Sequence, residues 1–401
     1  MWLSALSLAL REIRRNLLRS MLTMLGIIIG VAAVIIMMTI GNGTTAKITA
    51  QIESLGSNLL IARPGQRHRP GAREQAKPFE LADAEALGRD IPNIVAASAS
   101  SVQPTTAIFG NANWSSTVTG IDNQFLTVRN WPLASGREFN SGELRAGASV
   151  CLIGATVSQQ LFTQEEPIGN YIRLGRISCQ VVGILATKGQ SAMGQDQDDA
   201  ILIPLRSFWR RIAGNQNVSH IHLSARPSVA TEQVKRDVER LLRERRHISG
   251  DKEDDFSIID MKEIAKTMAG TTQIMTGLLG AVAAISLIVG GIGIMNIMLV
   301  SVTERTREIG IRLAIGALER EVQRQFLVEA VVLSSVGGIL GILLAILASW
   351  FIAGALDVPF LLDSTIIIAA FLFSAAVGVL FGYFPARKAA QLNPIDALRH
   401  E

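Results

Sequence analysis

Residues 278–300 read LLGAVAAISLIVGGIGIMNIMLV, inside a stretch from Thr267 to Thr303 that holds no Asp, Glu, Lys or Arg. A helix crosses the hydrocarbon of a bilayer in about 20 residues, so this stretch spans with length to spare. Working outward, three more windows share the property: Ser20–Ala46, Ala330–Leu356 and Ser364–Ala386. Their centres read LGIIIGVAAVIIMM, GGILGILLAILASWFIAGAL and TIIIAAFLFSAAVGVLFGYF. A buried helix of a soluble protein is rarely this long without a charge, so the sequence predicts four transmembrane spans. A signal peptide is the rival reading of the first window. Its apolar run exceeds the roughly 7–15 residues of a signal core, and no A-x-A-like site follows, so it reads as a retained anchor.

Composition agrees. Of 401 residues 18% are charged, against about 25% in soluble domains, and the net charge is +4. This excludes a disordered chain and a general polyanion binder, so no nucleic-acid partner is expected. Two cysteines and five histidines exclude a disulfide scaffold and a cysteine-based zinc centre.

Lys and Arg near the span ends set orientation. Arg11, Arg14, Arg15 and Arg19 precede the first span, Arg305, Arg307, Arg312, Arg320 and Arg324 separate the second from the third, and Arg387, Lys388 and Arg399 follow the fourth. The 357–363 loop has Asp357 and Asp363 and no basic residue. Both termini and the 304–325 loop are therefore expected in the cytoplasm, and 47–266 outside. The expected order is residues 1–19 as an amphipathic N-terminal helix, 20–46 as the first span, 47–266 as an extracytoplasmic domain and 267–303 as stalk and second span. Then come 304–325 as a cytoplasmic loop, 326–356 and 364–386 as the last spans flanking the short 357–363 loop, and 387–401 as a cytoplasmic tail.

The segment 47–266 carries 26 Lys+Arg and 24 Asp+Glu. Ile48, Ile52, Leu55 and Leu59 recur at helical spacing, as do Met261, Ile264 and Met268, and both ends are expected to prolong the spans as a stalk. ARPGQRHRPGAREQAKP (62–78) has Pro and Gly punctuation without apolar period and reads as a loop. Phe79–Arg89 reads as a short helix. NIVAASASSVQPTTAIFG, WSSTVTGI, SVCLIG, YIRLG, ISCQVVGIL and DAILIPL read as strands. IHLSARPSVATEQVKRDVERLLRERR followed by DFSIID reads as a βαβ-like unit. The fold class expected is thus an α-helical membrane protein with four transmembrane helices and a large α+β extracytoplasmic domain between helices 1 and 2.

The search for catalysis is negative. Gly189 and Gly194 have P-loop glycine spacing, but Gln195 and Asp196 stand where the phosphate-binding lysine belongs. No H-E-x-x-H or G-x-S-x-G occurs. His220 and His222 share one strand face with no third ligand in view and read as structural. Gln195-Asp196-Gln197-Asp198-Asp199 lacks the glycine and terminal glutamate of a calcium loop and reads as a hydrogen-bonded loop. Cys151 and Cys179 lie in predicted outer strands and are either a possible disulfide or two buried thiols. The spans carry no ionisable residue at their centres, which argues against an ion-driven transporter. Glu329 opens the third span and is expected to meet an arginine. Gly26/Gly30, Gly337/Gly341 and Gly378/Gly382 form G-x-x-x-G pairs that serve either the bundle or a dimer seam. In 301–326, apolar Ile309, Leu313 and Ala317 at four-residue spacing suit a helix lying along the membrane and docking on a soluble partner.

ERTREIGIRLAIGA (Glu304–Ala317) resembles the coupling-helix signature of the FtsX-like ABC permeases, most closely those of the MacB type. LREIRRNLLRSMLTMLGIIIGVAAVI, SLGSNLLIARPG, VVGILATKGQSAMGQDQDDAILIPL and PARKAAQLNPIDALRHE resemble, in order, the family's first helix and span, two stretches of its exported domain and its tail. The resemblance covers essentially the whole chain. It departs in one respect: MacB itself carries an ATPase domain on the same chain. The resemblance therefore implies a separate ABC ATPase subunit holding ATP and Mg, with no cofactor and no catalytic residue here. It implies a permease homodimer in membrane lipid of the bacterial inner membrane. A periplasmic membrane-fusion adaptor and a TolC-like outer-membrane channel are further expected partners, and efflux of macrolide-, peptide- or toxin-like cargo by mechanotransmission the expected task. A lipoprotein-releasing permease or a regulator of cell-wall hydrolases is the alternative. By motif position Glu304, Arg305, Glu308, Gly310, Arg312 and Gly316 would dock on the ATPase, and Arg14 and Arg15 would anchor the N-terminal helix. A membrane-anchored receptor and an exported enzyme are the rivals from other classes. The first lacks room for a cytoplasmic signalling domain and the second lacks a catalytic constellation.

Overall fold

A computed structural model describes residues 17–54, 56, 58–65, 76–163, 165–191, 194–250 and 252–399. The chain forms two compact units, one of 1–47 with 269–401 and one of 48–268. Arg14 and Arg15 lie outside the described residues.

The helices are α1 (Leu17–Ser54), α2 (Leu81–Asp90), α3 (Gln124–Val128), α4 (Ser141–Ala146), α5 (Ala155–Leu161) and α6 (Leu205–Phe208). They continue as α7 (Thr231–Arg245), α8 (Met261–Glu304), α9 (Thr306–Ala314), α10 (Glu319–Ala355), α11 (Ser364–Ala390) and α12 (Pro394–Arg399). The helices α1, α8, α10 and α11 are long and apolar enough to cross a membrane.

Within the membrane unit, each G-x-x-x-G pair is spent on packing inside the bundle. A Cβ on Gly26 would lie 2.7 Å from Gly290 Cα of α8, and one on Gly30 would lie 2.7 Å from Leu287 Cγ. Gly337 and Gly341 of α10 face Ile27 and Val31 of α1. Gly378 and Gly382 of α11 face Ser334 and Ala330 of α10. Lipid offers apolar side chains no less contact than a neighbouring helix does, so close backbone approach is what holds such helices together. At one end of the bundle, Lys47 Nζ meets Asp357 Oδ2 at 3.2 Å, which seats the loop between α10 and α11 against α1.

The other unit is built on strands β1 (Leu59–Pro64), β2 (Ile94–Phe109), β3 (Ala112–Ile121), β4 (Leu133–Gly136) and β5 (Val150–Ile153). The rest are β6 (Tyr171–Leu174), β7 (Ile177–Leu185), β8 (Ala200–Pro204), β9 (His220–Ala225) and β10 (Phe256–Asp260). Their order is β10-β1-β9-β2-β3-β8-β5-β7-β4, and β6 pairs with both β2 and β7. That double pairing closes a ring of six strands, β2-β3-β8-β5-β7-β6. The 16-residue β2 serves both halves, pairing β9 up to Ser100 and β3 from Ser101 onward. Its Pro104 falls where β2 has left β9 and not yet reached β6, so the missing N–H interrupts no ladder on that side.

Strands β9 and β10 both run antiparallel to β1, which separates them. The expected βαβ-like unit is therefore split, with β1 inserted at its centre. Two expectations fail locally. The helix of the 48–59 stretch ends at Ser54, Gly56 follows at φ +108°, and Leu59 opens β1. The loop expected from residue 62 starts later, because Ala62, Arg63 and Pro64 pair with β10 and the first of them also with β9. Helix α7 carries buried Val234, Val238 and Leu242 at four-residue spacing, and Arg245 Nε donates to Asp83 Oδ1 of α2 at 2.8 Å.

Candidate functional site

The 304–317 segment is a short helix clamped to the membrane unit at both ends. Helix α8 stops at Glu304, and Thr306 Oγ1 donates to Val302 O at 3.0 Å as α9 begins. Helix α9 ends in a Schellman arrangement. Ala317 N–H donates to Arg312 O at 3.0 Å and Gly316 N–H to Leu313 O at 3.1 Å. Gly316 has φ +101°, which a side chain resists, so its identity serves the helix end.

The other expected docking residues separate into held and open. Arg305 pairs with Glu329 of α10 at 3.6 Å, with both side chains largely covered, so the arginine expected for Glu329 comes from the loop itself. Gly310 is buried, and a Cβ there would lie 2.6 Å from Ala397 Cβ of α12. Arg312 reaches Gln325 Oε1 at 2.9 Å and pairs with Glu308 one turn back. Glu304 and Glu308 are exposed.

The apolar face read from the sequence is used internally. Ile309 is buried in the bundle core and Leu313 packs against it. The open ridge lies on the opposite side and was missed: Ile311 is 47% exposed, Ile315 81% and Leu318 66%. Ile311 alone of the three lies within α9; Ile315 and Leu318 stand in the turn on either side of Gly316, where helical spacing in the sequence gives no guide.

In the sheet unit the remaining candidates take structural places. Cys151 and Cys179 are buried free thiols on β5 and its parallel neighbour β7. Burial, and then the Cys179 thiol beside it, push Cys151 well above the usual thiol range. Asp198 is buried and accepts from Lys188 N–H at 2.8 Å and Gly189 N–H at 2.9 Å. Asp196 accepts from Thr156 Oγ1 at 2.6 Å, and Asp199 from Trp114 Nε1 at 2.9 Å. These carboxylates are committed to holding the 188–199 loop. His222 is buried edge-on to Phe125, with Ser100 Oγ 2.9 Å from its Nε2.

Comparison with known proteins follows the same division. Residues 20–241 match the model of the MacB-like periplasmic core domain. The chain belongs to that family. Residues 280–394 match the FtsX-like permease C-terminal model. A macrolide export ATP-binding/permease protein MacB of Azoarcus sp. (strain BH72) is 40% identical over 98% of this chain and 59% of its own length. A pyoverdine export ATP-binding/permease protein PvdT of Pseudomonas syringae pv. tomato is 39% identical over all of this chain and 60% of its own. The chain thus spans about three fifths of the length of these relatives. The crystal structure of the periplasmic region of MacB from Actinobacillus actinomycetemcomitans aligns with a TM-score of 0.47 at 18% identity, over 55% of this chain and 97% of that one.

Proposed function

We propose that this chain is the permease of an ABC transporter that exports cargo from the outer side of the inner membrane, driven by ATP hydrolysis in an ABC ATPase. The observation that carries this reading is the α9 ridge. A short helix is fixed by Arg305–Glu329, by Gly310 against Ala397 and by a Schellman end, yet leaves Ile311, Ile315 and Leu318 uncovered beside Glu308. A rigidly held helix with an unspent apolar ridge suits transmission of movement from a partner better than flexible tethering would. The pairing of Lys47 with Asp357 supports placing the 357–363 loop on the same side of the membrane as the start of the 48–268 segment. The relatives' names support export of a macrolide- or pyoverdine-like cargo, and an adaptor with an outer-membrane channel is the assembly proposed for it.

The test is co-purification of the tagged chain, with Ile315→Asp and Leu318→Asp variants alongside. The wild type is expected to bring down an ATPase, an adaptor and an outer-membrane channel, and the variants to lose the ATPase while remaining inserted. Absence of any ATPase from the wild type, or full retention by both variants, would overturn the reading.

A further inference from the structure

Period-two alternation sets Ile61 and Arg63 of β1, Ser100 of β2, Thr117 and Thr119 of β3 and His222 of β9 on one face of the sheet. Over that face lies a cavity of about 640 Å³. One flank is apolar, made by Phe125, Trp131 and Ile264. Arg129, at the end of α3, lines the same cavity.

Arg129 is the anomaly. No carboxylate among the described residues pairs with it. Its polar side-chain contact is Nη2 to Gln197 Oε1 at 3.4 Å, and its Nε is buried without a partner. Its guanidinium stands 5.7 Å from the Phe125 ring and 5.9 Å from the Trp131 ring. Burial lowers it to about 10, far below the ordinary arginine range. A half-buried charge without a counter-charge is costly, and proteins seldom carry one that nothing uses.

The surroundings carry charges of both signs. Lys188 Nζ stands 5.5 Å from the centre of the Trp131 ring and donates to Ser54 O and Arg129 O, each at 2.6 Å. The wall's two carboxylates, Asp196 and Asp199, accept from the neutral donors Thr156 and Trp114 and keep their charge, while Arg63 adds a second cation to the lining. Ser100 Oγ and His222 Nε2 share a hydrogen bond of 2.9 Å, and the other ring nitrogen, Nδ1, is buried without a partner. Gln197 Nε2 has none either. Arg129, Gln197 and His222, all in these walls, thus each keep a buried nitrogen without a partner. A cavity of this size with an apolar flank and an arginine without a carboxylate partner in its wall has the build of a small-ligand site.

We propose that this cavity binds an amphipathic anion, its carboxylate or phosphate group set against Arg129 and its apolar body against Phe125, Trp131 and Ile264. The site stands independently of whether the ligand is exported.

The test is calorimetric titration of the full chain in lipid nanodiscs with octanoate, octyl phosphate and octanamide, corrected against empty nanodiscs. The wild type is expected to bind at least one anion tenfold or more tighter than the amide. Tighter octanoate identifies a carboxylate ligand, and tighter octyl phosphate a phosphate. Arg129→Met is expected to abolish the preference and Arg129→Lys to keep part of it. Equal affinity for all three probes in the wild type, or an unchanged preference in Arg129→Met, overturns the proposal. A trifluoromethyl-diazirinyl benzoate probe gives a readout that needs no variant. Photolabelling that maps to peptides containing Phe125–Trp131 or Ile264, and is competed by octanoate, supports the site; labelling confined elsewhere refutes it.

Discussion

Gly378→Ala tests whether the α10–α11 seam is held by backbone approach. The new Cβ would lie 2.0 Å from Ser334 Oγ, 2.7 Å from Ser334 Cβ and 3.1 Å from Ala330 O. A rotamer change can move the hydroxyl but not the Cβ or the carbonyl. Carbon atoms at rest stand about 3.5–4.0 Å apart, so the two helices must part by roughly 1 Å at this point. The flanking contacts share the seam: Gly338 against Ser374, and Gly382 against Ala330. Parting at the centre loosens both. Overpacking of this kind costs about 1–3 kcal/mol, and the loss of the neighbours places the expected effect in the upper half of that range. Ser334→Gly removes what the new methyl strikes, so the double variant should recover about 1–2 kcal/mol of the loss as a coupling energy. The assay is reversible unfolding of the full chain in bicelles by sodium dodecyl sulfate, run as a four-member cycle. A neutral Gly378→Ala, or a cycle that is additive, would refute the reasoning.

Three further outcomes are expected. Burial first, and then Arg63 and Arg129 for His220 or Arg129 and His220 for His222, hold both rings below the ordinary histidine range. Their contribution is therefore complete above that range and is lost as pH falls through it. Melting of the sheet unit should decline from pH 7 to 5, less so in a His220→Gln/His222→Gln variant, and a flat wild-type profile would contradict this. Cys151 and Cys179, as buried thiols, should resist maleimide in the native chain and take two per chain in detergent denaturant without reductant; a need for reductant would show a bridge. Glu329→Leu removes the carboxylate that faces Arg305 and should cost about 2 kcal/mol, somewhat below the ~3–5 kcal/mol of a fully buried pair, and unchanged unfolding would argue against the clamp.

The four spans were legible because the absence of charge over 20 or more residues has a single physical meaning. The strands from Ile94 to Leu185 were legible from β-branched runs between Gly and Pro breaks, except β4, whose short LASG has no such run. Other features depend on contacts that no local pattern encodes. YIRL reads as a strand, but nothing in it says that Leu174 will stand beside Ala107 and close a ring. LLIARP carries the end of a helical period at Leu59 and the start of loop punctuation at Pro64, and tertiary pairing on both sides overrides the two signals. The inward face of α9 was legible from Ile309 and Leu313, whereas the exposure of Ile311 depends on what packs around the helix. Arg129 is a lone arginine after FLTV, and its want of a carboxylate is visible only once the sheet has placed every acid near it.

The insertion of β1 between β9 and β10 has a kinetic consequence. Strand β1 is made first, yet both of its partners lie near the end of the domain. At about 5–20 residues per second, its second edge waits roughly 10–40 s for residues synthesised some 200 positions later. Until β9 emerges LLIARP is an apolar strand open on two sides, and from then until β10 it is open on one, the form most prone to pairing with another chain. The growing protein therefore depends on whatever shields Leu59–Pro64 during synthesis, and a stall before Phe256 should be more hazardous to it than a stall within the last two spans.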